Sequence, residues 1–530
     1  MIGIIYLSLF MTSSLWAAVG PVQPVVSISG GHHRIDLMWE EQLNCWYEVE
    51  RRSSEKDPFV KINEKYQITP RYSDFVGINE LNYEYRVRAH QLKEGRGKPV
   101  ASSPWSEVVR GGSFHQNIWS QITDLQRANF EFIWSFAHPA SGLIRERTEY
   151  TESPKVAVWH SGCCTVGATG MGFFNIAVGV HKGWITRREA AARVLKTIMF
   201  LRDKTTRYHG AWSHWIDGET GDTIPFSEYD NGADLVETAF LAQGLIFVRE
   251  FFEGTSPIEK NIRLISQELW EGIEWDFFVK QTESGPQMLW HWSPEHEFKI
   301  NLPINGITEC HIVHLLSMVS PKYSVGPEIY RNAWLNPKYS EHRLLDGIEL
   351  DLGLGYAGPL FFTHYSYLGL DPRLLEFKDR SYLEHYGDLC EVQYRYAQRH
   401  YPKHGLHQEW GLTASNDYRG YDVHEPGHKD NGTITPTAAL SSWPYAPKRA
   451  MEAYQAMYER GAELWGEYGF YDAYNDRVNW VSPGYVSIDI ATIAPMIENH
   501  RSGLCWKIFS KAPEVQAMLK KVKVAEKMKP

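Results

Sequence analysis

The sequence predicts a mainly α-helical protein, an (α/α)6 barrel preceded by a small β-sandwich. Three observations predict it. Period-two alternation runs through residues 22–111 and then stops. From Ser113 onward, charged amphipathic helices alternate with apolar ones in six pairs. Several of the apolar helices open with acids, although carboxylates are almost never fully buried unless paired or facing a wet cavity. A chain of 530 residues also exceeds one ordinary core, so two domains are expected.

Met1 to Ala18 is apolar and ends in small residues, as a secretory leader does, which implies a periplasmic or secreted protein. No Lys or Arg precedes this run, and Leu15-Trp16-Ala17-Ala18 is a poor small-x-small site, so a buried first strand is the alternative. No later stretch is apolar and long enough to span a bilayer. Within 22–111, Ile35-Asp36-Leu37-Met38-Trp39, Trp46-Tyr47-Glu48-Val49-Glu50-Arg51 and Tyr83-Glu84-Tyr85-Arg86-Val87-Arg88-Ala89 alternate as half-buried strands. Strands at this spacing make a small antiparallel sandwich. In the helical part, 113–525, the outer helices are expected at 114–134, 187–203, 257–277, 326–335, 379–400 and 446–463. The inner, apolar ones are expected at 162–180, 232–250, 306–319, 357–368, 433–441 and 486–497.

Where outer and inner helices alternate, the inner ones run parallel, with their N-termini at one end. Asp234 and Glu237, Glu309, and Asp489 would therefore meet at one rim. The loops feeding that rim, 204–231, 282–305, 402–432 and 468–485, are long and aromatic, and long loops in a compact domain are usually functional or disordered.

The net charge of −10 excludes an ordinary nucleic-acid binder, which would carry a basic stripe. Aromatics make up 14% of the chain, with 20 Trp and 29 Tyr, and such flat amphipathic side chains favour a carbohydrate ligand. The six cysteines form no C-x-x-C pair and read as small buried hydrophobes. The histidines have no metal-ligand spacing, so no metal is expected, and no P-loop, nucleophile elbow or dinucleotide fingerprint implies a cofactor.

Six motifs carry a family resemblance: Ser141-Gly142-Leu143-Ile144-Arg145-Glu146-Arg147, Asp230-Asn231-Gly232-Ala233-Asp234-Leu235-Val236-Glu237-Thr238, Leu360-Phe361-Phe362-Thr363-His364-Tyr365-Ser366, Asp430-Asn431-Gly432-Thr433-Ile434-Thr435-Pro436-Thr437-Ala438-Ala439, Gly469-Phe470-Tyr471-Asp472-Ala473-Tyr474 and Met496-Ile497-Glu498-Asn499-His500-Arg501-Ser502-Gly503. Over about residues 115–515 the chain resembles glycoside hydrolase family 144, enzymes acting on β-1,2-glucan. The N-terminal ninety residues, closing on Ser102-Ser103-Pro104-Trp105-Ser106, resemble a fibronectin type III module, read as a spacer or brace. The family resemblance implies an (α/α)6 barrel and anomer-inverting hydrolysis without a required metal, with Glu309 as the acid and Asp489 as the base. It also implies that Asp234 and Glu237 are acids lining the nearest subsites. Two departures stand out. Asp489-Ile490-Ala491 replaces an expected Asp-Gln-Gly, and Ser415-Asn416-Asp417-Tyr418 replaces Ser-Asp-Gly-Pro, changes that could alter a subsite or the preferred linkage.

Each assignment has a structural alternative. Acids in a first helical turn stabilise it by about 0.3–1 kcal/mol, so Asp234 or Glu237 could be caps. Glu309 could pair an Arg across the barrel. Asp234 and Glu237 sit one turn apart on one helix, so they are badly placed to act from opposite faces of a sugar. Substrate contacts are expected from His209, Trp212, Tyr229, Asn231, Trp410, Asn416, Asp417, Thr435 and Tyr471, with Trp290, Trp292 and Trp480 as further platforms. Each aromatic could equally be core. Arg145, Arg147 and Arg501 could brace the acids in buried ion pairs, the favoured reading, or hydrogen-bond sugar hydroxyls directly. Together these readings predict an exported inverting glycosidase cleaving β-1,2-glucan or sophoro-oligosaccharides. A non-catalytic glycan-binding protein on the same fold, or a polysaccharide lyase, is the alternative.

Overall fold

The computed structural model describes residues 20–64, 66–92, 99–149, 162–401 and 408–528. The leader expected at 1–18 lies outside the described residues. The N-terminal region is β-rich, as its alternation dictates. Strands β1 (Ser27–Gly31), β2 (Arg34–Met38) and β5 (Arg71–Phe75) form one antiparallel sheet in the order β1-β2-β5. Strands β3 (Cys45–Arg52), β4 (Val60–Lys61), β6 (Asn82–Leu92), β7 (Pro99–Ser102) and β8 (Val109–Gly112) form the second around the β3–β6 pair. Ile35 and Leu37 from the first sheet meet Tyr47, Val49, Tyr85, Val87 and Ala89 from the second in a closed core. Because successive side chains point to opposite faces, Arg34 and Asp36 of β2 face away from that core. Arg34 meets the helical part instead. Arg34 donates to Tyr458 Oη at 2.9 Å and to Asp124 Oδ2 at 2.6 Å, and its guanidinium lies 5.1 Å from the Trp465 ring. Arg71 donates to the Glu467 carbonyl.

The helices are α1 (Ile118–Ser135), α2 (Val166–His181), α3 (Arg187–Asp203), α4 (Leu235–Phe251), α5 (Pro257–Glu271), α6 (His311–Val319), α7 (Pro327–Ala333), α8 (Tyr382–His400), α9 (Pro436–Ser441), α10 (Pro447–Glu459), α11 (Ser487–Ser502), α12 (Leu504–Phe509) and α13 (Pro513–Lys527). Local chemistry sets many of their ends. Thr186 with Glu189 and Ser381 with Glu384 form capping boxes on α3 and α8. Gly503, at φ +67°, closes α11 in the left-handed conformation that glycine adopts without a Cβ clash.

Helices α2 and α4 are apolar on every side and correspondingly buried. They cross closely at Gly170 and Gly244: a Cβ on either glycine would lie 2.4 Å from a backbone oxygen of the other helix. Packing then runs from α4 to α6, from α9 to α11, and from α11 back to α2, while α5 covers α4 and α1 covers α11. One expected inner helix is absent as such. Residues 357–368 form two short 3-10 turns, Leu360–Thr363 and Tyr365–Tyr367, instead of an α-helix. Pro359 starts the segment. Its backbone closes i→i+3 bonds (Phe362 to Pro359, His364 to Phe361, Tyr367 to His364), and Ser366 Oγ accepts the N–H of Ile312 in the first turn of α6.

Candidate active site

The acids sit where the inner helices start. Asp234 is the N-cap of α4: Oδ1 accepts the N–H groups of Val236 and Glu237 at 3.0 Å each and Trp290 Nε1–H at 2.9 Å. Its Oδ2 faces His214 Nδ1 at 3.0 Å. With both oxygens engaged by the protein, Asp234 organises the site. Burial alone would make it a weaker acid, but the His214 hydrogen bond and the charges of His291 and His214 hold it below the ordinary carboxylate range. Burial opposes a charge on His214 too, yet Glu237 and Asp234 raise that imidazole to about 10, so it stands as a cation. Glu237, one turn into α4, accepts Gly167 N–H at 2.7 Å. Burial and the neighbouring Asp234 push it upward, with His214 and the Gly167 N–H pulling the other way. His214, Asp230 and Asp234 bring ligand atoms within 4.8 Å of one another and could hold a cation. Their own ion pairing already neutralises part of that charge.

Glu309 lies just before α6 and is 8% exposed. Burial first, then the charges of Asp234 and Glu237, push its carboxyl up to about 7. A carboxyl still protonated near neutrality is what a proton donor needs. Asp489, in the first turn of α11, is 1% exposed. Its carboxyl is also driven up, by burial and then by Asp472.

The turn pair at 360–367 links these two acids. Tyr365 Oη donates to Asp489 Oδ1 at 3.1 Å, and the neighbouring Ser366 hydroxyl donates to the Glu309 carbonyl. Tyr365 feels the charge of both acids. Glu146 bridges the two groups electrostatically, since its charge reaches Glu237 as well as Asp489.

The expected sugar contacts divide. Tyr229 is exposed at 37% and packs edge-on against His296 at 5.0 Å. Asn231 donates to Glu295 Oε2 at 2.8 Å, and His209 stacks on Phe277 and pairs with Glu274 at 3.0 Å. Trp290, Trp292, Trp480 and Tyr471 are half-buried. Trp212 and Trp410, however, are fully buried, their indole N–H groups donating to Thr205 Oγ1 and the Arg449 carbonyl, and no sugar can reach them.

Thr435 is buried against Ser415, and Asn416 spends its N–H on Asp472 and its amide on Ser482. Asp417 ties together Asn431, Thr433 and the Arg419 N–H. These three shape the loops from within. Arg145 is a brace, ion-paired to Glu41 of the sandwich region at 2.9 Å and donating to the Phe136 carbonyl. Arg501 is in the last turn of α11, twelve residues and about 18 Å along the helix from Asp489 at ~1.5 Å per residue. There it bonds Thr123, Gln126 and the Trp119 carbonyl. The six cysteines are all free and buried.

Sequence reasoning missed Tyr365, Glu146, Asp472 and the exposed Phe226, which packs on His214 and Trp215 with ring centroids 4.5 and 4.7 Å apart. Tyr365 and Asp472 lay inside recognised motifs. No spacing rule singled them out.

Buried acids delivered from the starts of separate helices, one of them pushed up to about 7, with the half-buried Trp290 against Asp234, make a glycoside hydrolase site on a helical scaffold. A family model described as a glucoamylase matches residues 301–513. The chain is 36% identical to an exo β-1,2-glucooligosaccharide sophorohydrolase (non-reducing end) of Parabacteroides distasonis, over 94% of this chain and 70% of the relative. A crystal structure of a β-1,2-glucanase from the same species superposes with a TM-score of 0.86 at 34% identity, covering 96% of this chain and 74% of that one. An endo-β-1,2-glucanase from Chitinophaga pinensis, solved with sophorotriose and glucose, gives 0.71 at 37% identity, over 77% of this chain and 98% of that one. The chain belongs to this glucoamylase-like family of glycoside hydrolases, family 144.

Proposed function

We propose that the protein is an exported, inverting hydrolase that releases sophorose from the non-reducing end of β-1,2-gluco-oligosaccharides. The observation that carries this is the pair Glu309 and Asp489, set on different inner helices and tied together through Tyr365 and Ser366. Glu309 gives its proton to the leaving glycosidic oxygen. A water attacks the anomeric carbon from the opposite face and passes its proton to Asp489. The C–O bond breaks as the new one forms, leaving Glu309 ionised and Asp489 protonated, and solvent restores both. Inversion needs room for that water, so the two carboxyls must stand about 6.5–9.5 Å apart in the working complex. Acids on separate helices can do this, whereas Asp234 and Glu237, one turn apart on α4, cannot. Tyr365 orients Asp489, and His214 with Asp234 fixes the start of α4. Tyr229, Phe226 and Trp290 offer faces to sugar rings.

Exo action is favoured by how far the similarity runs. The exo-acting relative matches 94% of the chain, whereas the endo-acting one matches 77% and leaves the remainder without a counterpart. In this reading residues 113–525 close as an (α/α)6 barrel in which the turns at 360–367 take the place of one inner helix. The domain at 22–111 is a fibronectin type III-like brace, and Met1–Ala18 is the export leader. A timed product profile on a panel of β-linked glucans tests the proposal. Sophorose accumulating from the first time points, from β-1,2-glucan alone, supports it. No soluble product from that substrate would refute it, and a ladder of long fragments would refute exo action.

A further inference from the structure

Asp472 has no part in the mechanism above, yet it faces the base. Asp489 Oδ1 is satisfied by Tyr365 Oη. Its Oδ2 is buried and receives no hydrogen bond from an N–H or hydroxyl donor among the described residues. The charge that bears most on the Asp489 carboxyl is that of Asp472, whose side chain lies within hydrogen-bonding reach. Asp472, 7% exposed, cannot easily swing away: its Oδ2 accepts Asn416 N–H at 2.7 Å, and its own N–H donates to the Gly484 carbonyl at 3.1 Å. Two ionised carboxylates have no hydrogen to share, so a bond between them requires one proton. Around the pair, Glu146 adds negative charge on the Asp489 side, and Arg147 favours a charge on Asp472. Tyr365 donates a hydrogen bond, and Tyr421 faces the charges of both aspartates as a phenol that stays neutral at working pH.

We propose that Asp472 is a positioning residue for the base: the two carboxyls hold one proton between them, the charge rests on Asp472, and that proton must leave before Asp489 can accept one from the attacking water. This rests on the reading of Asp489 as base. It predicts that the acidic limb of kcat/KM lies above the range of an ordinary carboxylate.

Asp472→Asn is the test. The amide keeps the acceptor for Asn416 N–H and offers Asp489 an N–H donor in place of a competing charge. The acidic limb should then move down by about 1–3 pH units. The plateau kcat should fall by far less than the roughly 10²–10⁴ that loss of a general base costs. An unmoved limb overturns the proposal. So does lost turnover with sophoro-oligosaccharide binding intact, which would make Asp472 itself the base.

A second readout needs no activity. In wild-type protein carrying carboxyl-¹³C aspartate, the pair should titrate in two widely separated steps. Two ordinary carboxylate titrations would overturn the proposal even if Asp472→Asn failed to fold. If wild-type protein hydrolyses no β-1,2-linked substrate, the functional reading fails, and the carbon titration alone still decides whether the proton is shared.

Discussion

At the scale of single residues, the account rests on which carboxyls carry a proton at working pH. Glu309, pushed up to about 7 by burial and by Asp234 and Glu237, is the acid. It must be protonated to act, so kcat/KM should fall as pH rises through about 7. Glu309→Gln should leave folding and oligosaccharide binding intact and cut kcat by roughly 10²–10⁴. Near-normal turnover in steady-state assays would remove Glu309 from the mechanism. The sequence could show that acids open apolar helices, but not what each acid touches. Asp234 and Glu237 share one turn, yet one caps the helix with both oxygens engaged and the other is held by the Gly167 N–H. The roles of Trp212 and Trp410 were misread for a related reason. Both lie in loops by local pattern, but these loops fold into the core, and burial is settled by distant partners such as Thr205 and Arg449.

At the scale of elements, alternating apolar and amphipathic stripes gave most helices within a few residues of where they lie. The failure at 357–368 is instructive. Its composition is apolar enough for an inner helix, but its backbone closes i→i+3 bonds, and the resulting turns deliver Tyr365 to Asp489. Arg501 lies away from the acids for a geometric reason: α11 runs from Asp489 at one end to Arg501 at the other. The crossing of α2 on α4 can be tested directly. Gly244→Ala would press a methyl against the Gly170 carbonyl, 2.4 Å from the ideal Cβ position. Overpacking of this kind costs about 1–3 kcal/mol, read as a lower midpoint in urea with an unchanged slope. A midpoint equal to wild type would show that the two helices can part without penalty.

At the scale of the whole molecule, the sandwich is fixed to the helical part through buried polar contacts, and no sequence pattern announced them. Arg34 reads as an outward strand residue, but it is 3% exposed because Asp124 and Tyr458 come to meet it. Arg34→Ala leaves Asp36 and Asp124 without their partner. The loss should approach about 3–5 kcal/mol at most, because both aspartates keep some water. Limited proteolysis should then cut faster near Gly112–Phe114, and an unchanged cleavage rate would show that the junction does not depend on this pair. The central claim, that Glu309 and Asp489 act from opposite faces of a β-1,2-linked sugar, is tested most directly by the anomer first released. Proton NMR in the first minutes of β-1,2-gluco-oligosaccharide hydrolysis, before mutarotation, should show the α-anomer of the new reducing end. An initial β-anomer, or no new reducing end at all, would contradict it.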